Sequence, residues 1–212
     1  MTAIPPHLHH AHPSDGHDPR GTAGWNEMYS DRPEWDLGRP QPAMLYLLDR
    51  GGIRGRVLDV GCGTGEHVLM CAERGLAATG IDISSTAIDT AKRKAAHRGV
   101  TATFRLHDAT ELAELNERFD TVLDCGLLVH IVDEPEVRTA FIDGLRAVVV
   151  PGGRYAMVCF RGQGGHHRSL TRAEIESFFA DGWHVEEFEP ITIEGIGRTQ
   201  GIPAWLVTMT RQ

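Results

Sequence analysis

The sequence predicts an α/β fold: a seven-stranded, mostly parallel sheet with helices on both faces, its last strand antiparallel, behind a helical N-terminal segment. Three observations carry this. From Gly55 onward, short strand-forming runs alternate with stretches of helical periodicity, the pattern of parallel strands joined by crossover helices. A glycine-rich loop, "GCGTG" at 61–65, follows the first of these strands and opens a helix. The link "EPITIEGIGRTQGIP" at 189–203 has no helical periodicity, so the strands flanking it pair antiparallel.

The elements follow in order. Residues 1–22 are rich in Pro, His and Gly and poor in large apolar residues, which predicts a flexible tail. Its five histidines (His7, His9, His10, His12, His17) do not set a coordination geometry on such a segment. Residues 23–212 form one domain, of which 23–54 are a lid and a first helix. Trp25, Met28 and Tyr29 share one face of a short helix, and "PEWDLGRPQP" is a turn-rich crossing because three prolines and a glycine forbid a continuous helix. "AMLYLLDRG" is an amphipathic helix stopped by Gly51 and Gly52. Strands are expected at 56–60, 77–82, 102–106, 119–124, 153–160, 183–188 and 204–210, and helices at 65–74, 85–98, 134–149 and 172–180.

Composition narrows the function. A chain of 212 residues with 41% hydrophobic residues suits one domain with a full core. The net charge of -8 argues against a nucleic-acid partner, which calls for a basic face. No apolar run is long enough for a bilayer and no signal-peptide pattern opens the chain, so no membrane partner is expected. The four cysteines form no CxxC pair, and three fall in core segments; reduced thiols and a cytoplasmic location are expected. No divalent-metal constellation stands out.

The glycine loop points to the ligand. In an open α/β sheet, ligands bind beyond the carboxyl ends of the strands. Gly61, Gly63 and Gly65 follow a G-x-G-x-G spacing, whereas the dinucleotide fingerprint G-x-G-x-x-G would end at Glu66. Asp59 stands just ahead of the loop. A pyrophosphate would be repelled there, and a ligand carrying an ammonium and a sulfonium would be attracted; that ligand is S-adenosylmethionine. Asp82, about 20 residues on, sits where an acidic residue takes ribose hydroxyls. Asp108 in "LHDAT" follows the third strand and could accept from an adenine amino group. Each aspartate alone fits a helix N-cap or a turn. Three in register beside the loop favour a cofactor cleft.

These residues resemble the class I S-adenosylmethionine-dependent methyltransferases, with a Rossmann-like sheet. The resemblance covers about residues 23–212. "VLDVGCGTGEH" is similar to their first motif and "GIDIS" to their second. "FDTVLDCGLLVHI" resembles the fourth strand with the substrate-side loop, and "LRAVVVPGGRYAMVCF" the helix, turn and fifth strand beyond it. The N-terminal "W…Y…PEWDLGRPQP" resembles the thiopurine, thiol and halide methyltransferase branch, and related bacterial enzymes acting on small quinones or heterocycles. The resemblance implies that Trp25, Tyr29, Trp35 and Arg39 line or close the site. Cofactor contacts are then expected from Trp25, Tyr29, Trp35, Asp59, Gly61, Cys62, Gly63, Gly65, Asp82, Ile83, Asp108, Ala109 and Asp124. Acceptor contacts are expected from Trp35, Arg39, Leu128, His130 and Arg168.

The chemistry can be weighed separately. Methyl transfer is an in-line displacement, so alignment is the main demand. With an anionic nucleophile, charge is neutralised in the transition state, and a dry pocket under an aromatic lid favours it. A thiol of pKa about 8.5 needs little help from a base, whereas a phenol near 10 needs more. Candidate bases are His130, past the fourth strand, and His166 and His167, past the fifth. Arg168 could orient an acidic acceptor group, although "SLTRAEI" also opens a helix capped near Ser169 or Thr171. "LDCGLL" stands where an amino-group or nucleic-acid methyltransferase would carry Asn/Asp-Pro-Pro-aromatic. The expected function is methylation of a small aromatic or heterocyclic acceptor, thiol first, phenol or quinol and ring nitrogen next. The alternatives are a nicotinamide-dependent oxidoreductase, disfavoured by Asp59 and the loop spacing, and a non-catalytic cofactor-binding module.

Overall fold

The computed structural model describes residues 21–162 and 168–212. Residues 1–20 of the tail expected at 1–22, and the two histidines His166 and His167, lie outside the described residues; Thr22 already belongs to the first helix.

Seven strands form one sheet in the order β3-β2-β1-β4-β5-β7-β6. β1 (Arg56–Val60), β2 (Ala77–Asp82), β3 (Thr103–Leu106), β4 (Phe119–Cys125) and β5 (Val149–Phe160) are mutually parallel; β7 (Ile202–Arg211) runs antiparallel to both β5 and β6 (Trp183–Ile193). The chain reverses strand order at β1, with β2 and β3 to one side and β4 to the other, so the crevice above β1 and β4 is the ligand position of such sheets.

Helices cover both faces. α2 (Pro42–Asp49), α3 (Glu66–Glu73) and α4 (Ser85–Arg98) bury Met44, Leu47, Leu69 and Ile88 against one side. α5 (Leu128–Ile131), α6 (Pro135–Val148) and α7 (Arg172–Phe178) bury Leu128, Phe141, Leu145 and Ile175 against the other. Both layers hold apolar residues at strand positions of opposite parity, as a sheet covered on two faces requires. Local signals set the helix ends. Ser84 caps α4 by accepting from Ala87 N–H, and Gly99 stops it in the left-handed region. Thr171 and Glu174 form the capping box of α7.

Three differences from the sequence expectation have physical causes. β6 runs on to Ile193 through Pro190, because β6 is an edge strand and the missing N–H is no loss there. The link therefore shrinks to 194–201. β5 begins at Val149, ahead of the "PGG" turn; Phe119 pairs with Val149 and Thr121 with Arg154, so a bulge absorbs the turn inside the strand. Two short elements were not expected: a 3-10 helix, Ala109–Leu115, whose N-cap is Asp108, and α5, a single turn after β4.

Candidate active site

The acidic triplet at the strand ends is the centre of the site. Asp59 on β1 is 1% exposed, and neither carboxylate oxygen has a hydrogen-bond partner. Burial, then the neighbouring Asp124 and Asp82, push its pKa well above the usual carboxylate range. A buried carboxyl without a donor is costly, and few are left so in folded proteins. A ligand cation would relieve it.

Asp82 ends β2 and is also buried. Its Oδ2 accepts from Gly63 N–H at 2.8 Å and its Oδ1 from Ser84 N–H at 2.8 Å. It thus ties the glycine loop to the start of α4. Burial raises its pKa against those backbone donors. Asp108 accepts from Thr110 N–H and Thr110 Oγ at 2.8 Å each, which makes it the cap of the 3-10 helix. Asp124 on β4 accepts from Leu127 and Leu128 N–H and from Tyr155 O–H at 2.8 Å. Burial lifts it to about 6 against those bonds. Asp82, Asp108 and Asp124 are therefore local formers of turns and caps as well as strand-end carboxylates; Asp59 alone has no such task.

Two glycines show why the loop is built as it is. A Cβ at Gly63 (φ +52°) would stand 2.7 Å from the Tyr29 hydroxyl. A Cβ at Gly65 (φ +86°) would strike Phe104 at 2.6 Å and Ala91 at 2.9 Å, so this position seats the loop against α4 and β3. Cys62 is buried beside the loop, and burial followed by Asp82 and Asp59 raises its thiol pKa. Ile83 and Ala109 flank Asp82 and Asp108 in the chain, half-buried and buried respectively.

The N-terminal segment closes over this loop. α1 (Thr22–Met28) is docked by Asn26, whose Oδ1 accepts from Ser84 Oγ at 2.8 Å and from Thr86 N–H at 3.2 Å. Trp25, Tyr29 and Trp35 form an aromatic cluster: Trp35 lies edge-on to both others with centroids 6.3 Å apart, and its Nε1–H donates to the Tyr29 hydroxyl oxygen at 3.2 Å. Burial and Asp82 keep the Tyr29 phenol protonated. The crossing strap beyond Tyr29 is fastened at several points. Lys94 lies 3.5 Å from Asp36 and donates to Thr64 and to the buried Glu66 at 2.6 and 2.8 Å. Ile196 N–H donates to Glu34 O at 2.7 Å, and Arg198 pairs with Glu34 at 3.0 Å. Gln41 and Glu194 exchange side-chain-to-backbone hydrogen bonds of 2.9 and 3.0 Å. The strap and the 194–201 link thus form one rim.

The expected acceptor residues divide. His130, exposed on α5, lies edge-on to Trp25 with centroids 5.1 Å apart, so the segment after β4 and the N-terminal segment touch. Arg39 pairs with Glu194 on the rim. Leu128 is fully buried in the core beneath α5. Arg168 is held by Asp133 at 2.8 Å and Glu174 at 2.7 Å instead of standing free for an acceptor. Sequence reasoning passed over Asn26, His67, Lys94 and Gln41, which join distant segments. It also missed Arg161 at the end of β5, whose guanidinium lies 5.0 Å over the Trp205 ring and whose buried Nε has no partner. Only "GEHV" and "WNEM" could have flagged two of these, as polar residues inside helical apolar patterns. Among the described residues no cluster of three or more His, Cys, Asp or Glu is placed to hold a metal ion. Nor is any helix among them long and apolar enough to cross a membrane.

Comparison with known proteins agrees with this geometry. Residues 57–153, from β1 into β5, match the family described as methyltransferase domain. The chain is 33% identical to a 2-heptyl-1-hydroxyquinolin-4(1H)-one methyltransferase of Mycobacteroides abscessus over 81% of its own length and 77% of that protein. It is 30% identical to a probable thiol methyltransferase 2 of Arabidopsis thaliana over 66% of its length and 62% of that protein. A solved structure concerned with conversion of a disulfide bond into a thioacetal group during echinomycin biosynthesis superposes with a TM-score of 0.81 and 31% identity, covering 90% of this chain and 93% of that one. With the sheet order, the glycine loop and the orphaned strand-end carboxylate in agreement, the chain belongs to the class I S-adenosylmethionine-dependent methyltransferases of small-molecule type.

Proposed function

We propose that the enzyme methylates a small, largely apolar aromatic or heterocyclic acceptor, with a thiol sulfur the preferred nucleophile and a phenolic, quinolic or ring-nitrogen atom next. The observation that carries this is the aromatic rim. Trp25 meets His130, Trp35 packs edge-on against Trp25 and Tyr29, and Trp35 is 43% exposed although it is bonded to Tyr29. Such a rim offers flat apolar contact and excludes water, which suits a planar nucleophile that is anionic when it reacts. The names of the relatives point the same way: one is named a hydroxyquinolone methyltransferase, another a probable thiol methyltransferase.

When bound, S-adenosylmethionine supplies the electrophilic methyl carbon. Asp59 would hold its ammonium end, the 61–65 loop its backbone-facing side, Asp82 its ribose hydroxyls, and Asp108 with Ala109 its adenine. Cys62, Ile83 and Asp124 would complete the wall, and the lid of Trp25, Tyr29 and Trp35 would keep water out. A thiol that ionises in solution requires no base from the protein. For a less acidic phenol, His130 stands near enough to the rim to take the proton. The four cysteines are unpaired, which supports a reducing compartment, the cytoplasm.

The test is a mass-spectrometric screen of aryl thiols, phenols, quinols and nitrogen heterocycles with methyl-labelled S-adenosylmethionine. Transfer to aryl thiols above all others is the expected result. Transfer confined to hydroxyl acceptors would replace sulfur by oxygen and leave the methyltransferase assignment intact.

A further inference from the structure

Asp59 is not alone in its pocket. The imidazole of His67, in the first turn of α3, brings Nδ1 to 3.8 Å from Asp59 Oδ2, with the side chain 13% exposed. Its other nitrogen faces the backbone N–H of Gln41 at 3.2 Å. A backbone amide can only donate, so Nε2 accepts and the ring carries its proton on Nδ1, toward Asp59. Burial holds this histidine neutral, its pKa lowered to about 4 against the raising effect of Glu66. The N–H aimed at Asp59 therefore belongs to an uncharged ring.

Gln41 is the N-cap of α2 and ends the lid strap, and its side chain is clasped by Glu194 of the link. One imidazole thus touches both the foot of the lid and the carboxylate left without a donor. At 3.8 Å the second contact is too long for a hydrogen bond, but no other donor side chain approaches Asp59 among the described ion pairs and hydrogen bonds.

We propose that His67 is a positioning residue for the amino-acid end of the cofactor: its Nδ1–H orients the Asp59 carboxylate toward the ligand ammonium, in a register set by Gln41 at the base of the strap. A neutral donor suits this task. If the gap closes when the ligand is bound, it would satisfy one carboxylate oxygen while adding no positive charge to compete with the ammonium. A lysine or arginine there would neutralise Asp59 and weaken the site. The proposal rests on the assignment of Asp59 to the ammonium.

The experiment compares two ligands by calorimetric titration of the full-length protein. S-adenosylhomocysteine carries the ammonium; 5′-methylthioadenosine shares the nucleoside and lacks the amino-acid end. His67→Leu is expected to weaken S-adenosylhomocysteine roughly tenfold and methylthioadenosine less than about twofold, as for loss of a bond to a charged group. His67→Asn, whose amide nitrogen overlies the Nδ1 position, should recover most of the lost affinity. Should His67→Leu fail to fold, His67→Gln keeps an acceptor for Gln41 N–H without the donor toward Asp59 and makes the same comparison. Equal weakening of both ligands, no weakening of either, or an asparagine variant as poor as leucine overturns the proposal. Asp59→Asn separates the two levels. If it fails to discriminate between the ligands, the ammonium assignment itself is wrong. If it discriminates and His67→Leu does not, only the role of His67 is lost.

Discussion

The contact between the glycine loop and the lid can be measured with Gly63→Ala, alone and combined with Tyr29→Phe. The new methyl meets two obstacles. Gly63 has φ +52°, a region that costs an L-residue about 1–2 kcal/mol whatever surrounds it. The Cβ would also lie 2.7 Å from the Tyr29 hydroxyl oxygen, with the next ring atom, Cζ, at 3.4 Å. Relieving that overlap moves the hydroxyl off the Trp35 Nε1–H, now at 3.2 Å, and one lost hydrogen bond costs about 1 kcal/mol. Overlap and lost bond together come to about 1–2 kcal/mol, so the total is about 2–4 kcal/mol. For a chain of this size each kcal/mol moves Tm by about 2–4 °C. Tyr29→Phe removes the oxygen that clashes and leaves the backbone strain in place. Gly63→Ala should therefore cost about 1–2 kcal/mol less when Tyr29→Phe is already present. The assay is denaturant unfolding of the four proteins without ligand, with proteolysis of residues 23–41 as a local readout of lid docking. An equal cost for Gly63→Ala in both backgrounds, with unchanged lid cleavage, would falsify the claim that the loop and the lid touch through Tyr29.

Other outcomes follow from the same geometry. Asp82→Ala removes the acceptor for Gly63 and Ser84 N–H and the proposed acceptor for ribose hydroxyls; S-adenosylhomocysteine should bind roughly tenfold or more weakly by calorimetry. Deleting residues 1–20 should leave turnover nearly intact, whereas deleting 1–38 removes Trp25, Asn26, Tyr29 and Trp35 and should abolish it; residues 23–40 should be cut by protease without ligand and protected by S-adenosylhomocysteine. Glu174 is depressed to about 2, first by Arg168 and then by Thr171. Since its folded pKa lies below the unfolded one, its contribution is present above about pH 4.5 and lost as pH falls toward 2. Glu174→Gln should cost about 1 kcal/mol at pH 7 after solvent screening, and the difference from wild type should vanish in denaturation near pH 2. If an aryl thiolate is the nucleophile, the rate should rise with pH up to that thiol's own pKa, and His130→Ala and His167→Ala should keep most activity. With a phenol, one of those variants should lose roughly a hundredfold and the profile should follow a histidine near about 6.5.

The sheet, its helices and the cofactor cleft were legible in the chain because each rests on local rules. Period-two and period-3.6 patterns mark elements whose burial is decided over a few neighbours, and β1, β2 and α4 have their expected bounds. Asp59 announced itself by charge in a place where the commoner ligand would be repelled. Tertiary structure decided what no local pattern encodes: which carboxylate is free. Asp82, Asp108 and Asp124 are all occupied by N–H or O–H groups, and Asp59 is left bare because its cross-strand neighbours are Gly80 and Leu123 and the nearest donor, His67, stops at 3.8 Å. The surroundings of Arg168 were likewise set by folding. An arginine is available or engaged according to the acids that folding brings beside it, and Asp133 lies 35 positions from Arg168 in the chain. The seat of the lid, where Gln41 meets His67 and Glu194, depends on segments 26 and 153 residues apart. Contacts of that range exist only after the sheet has closed the loops between them, so they have no signature in the order of the residues.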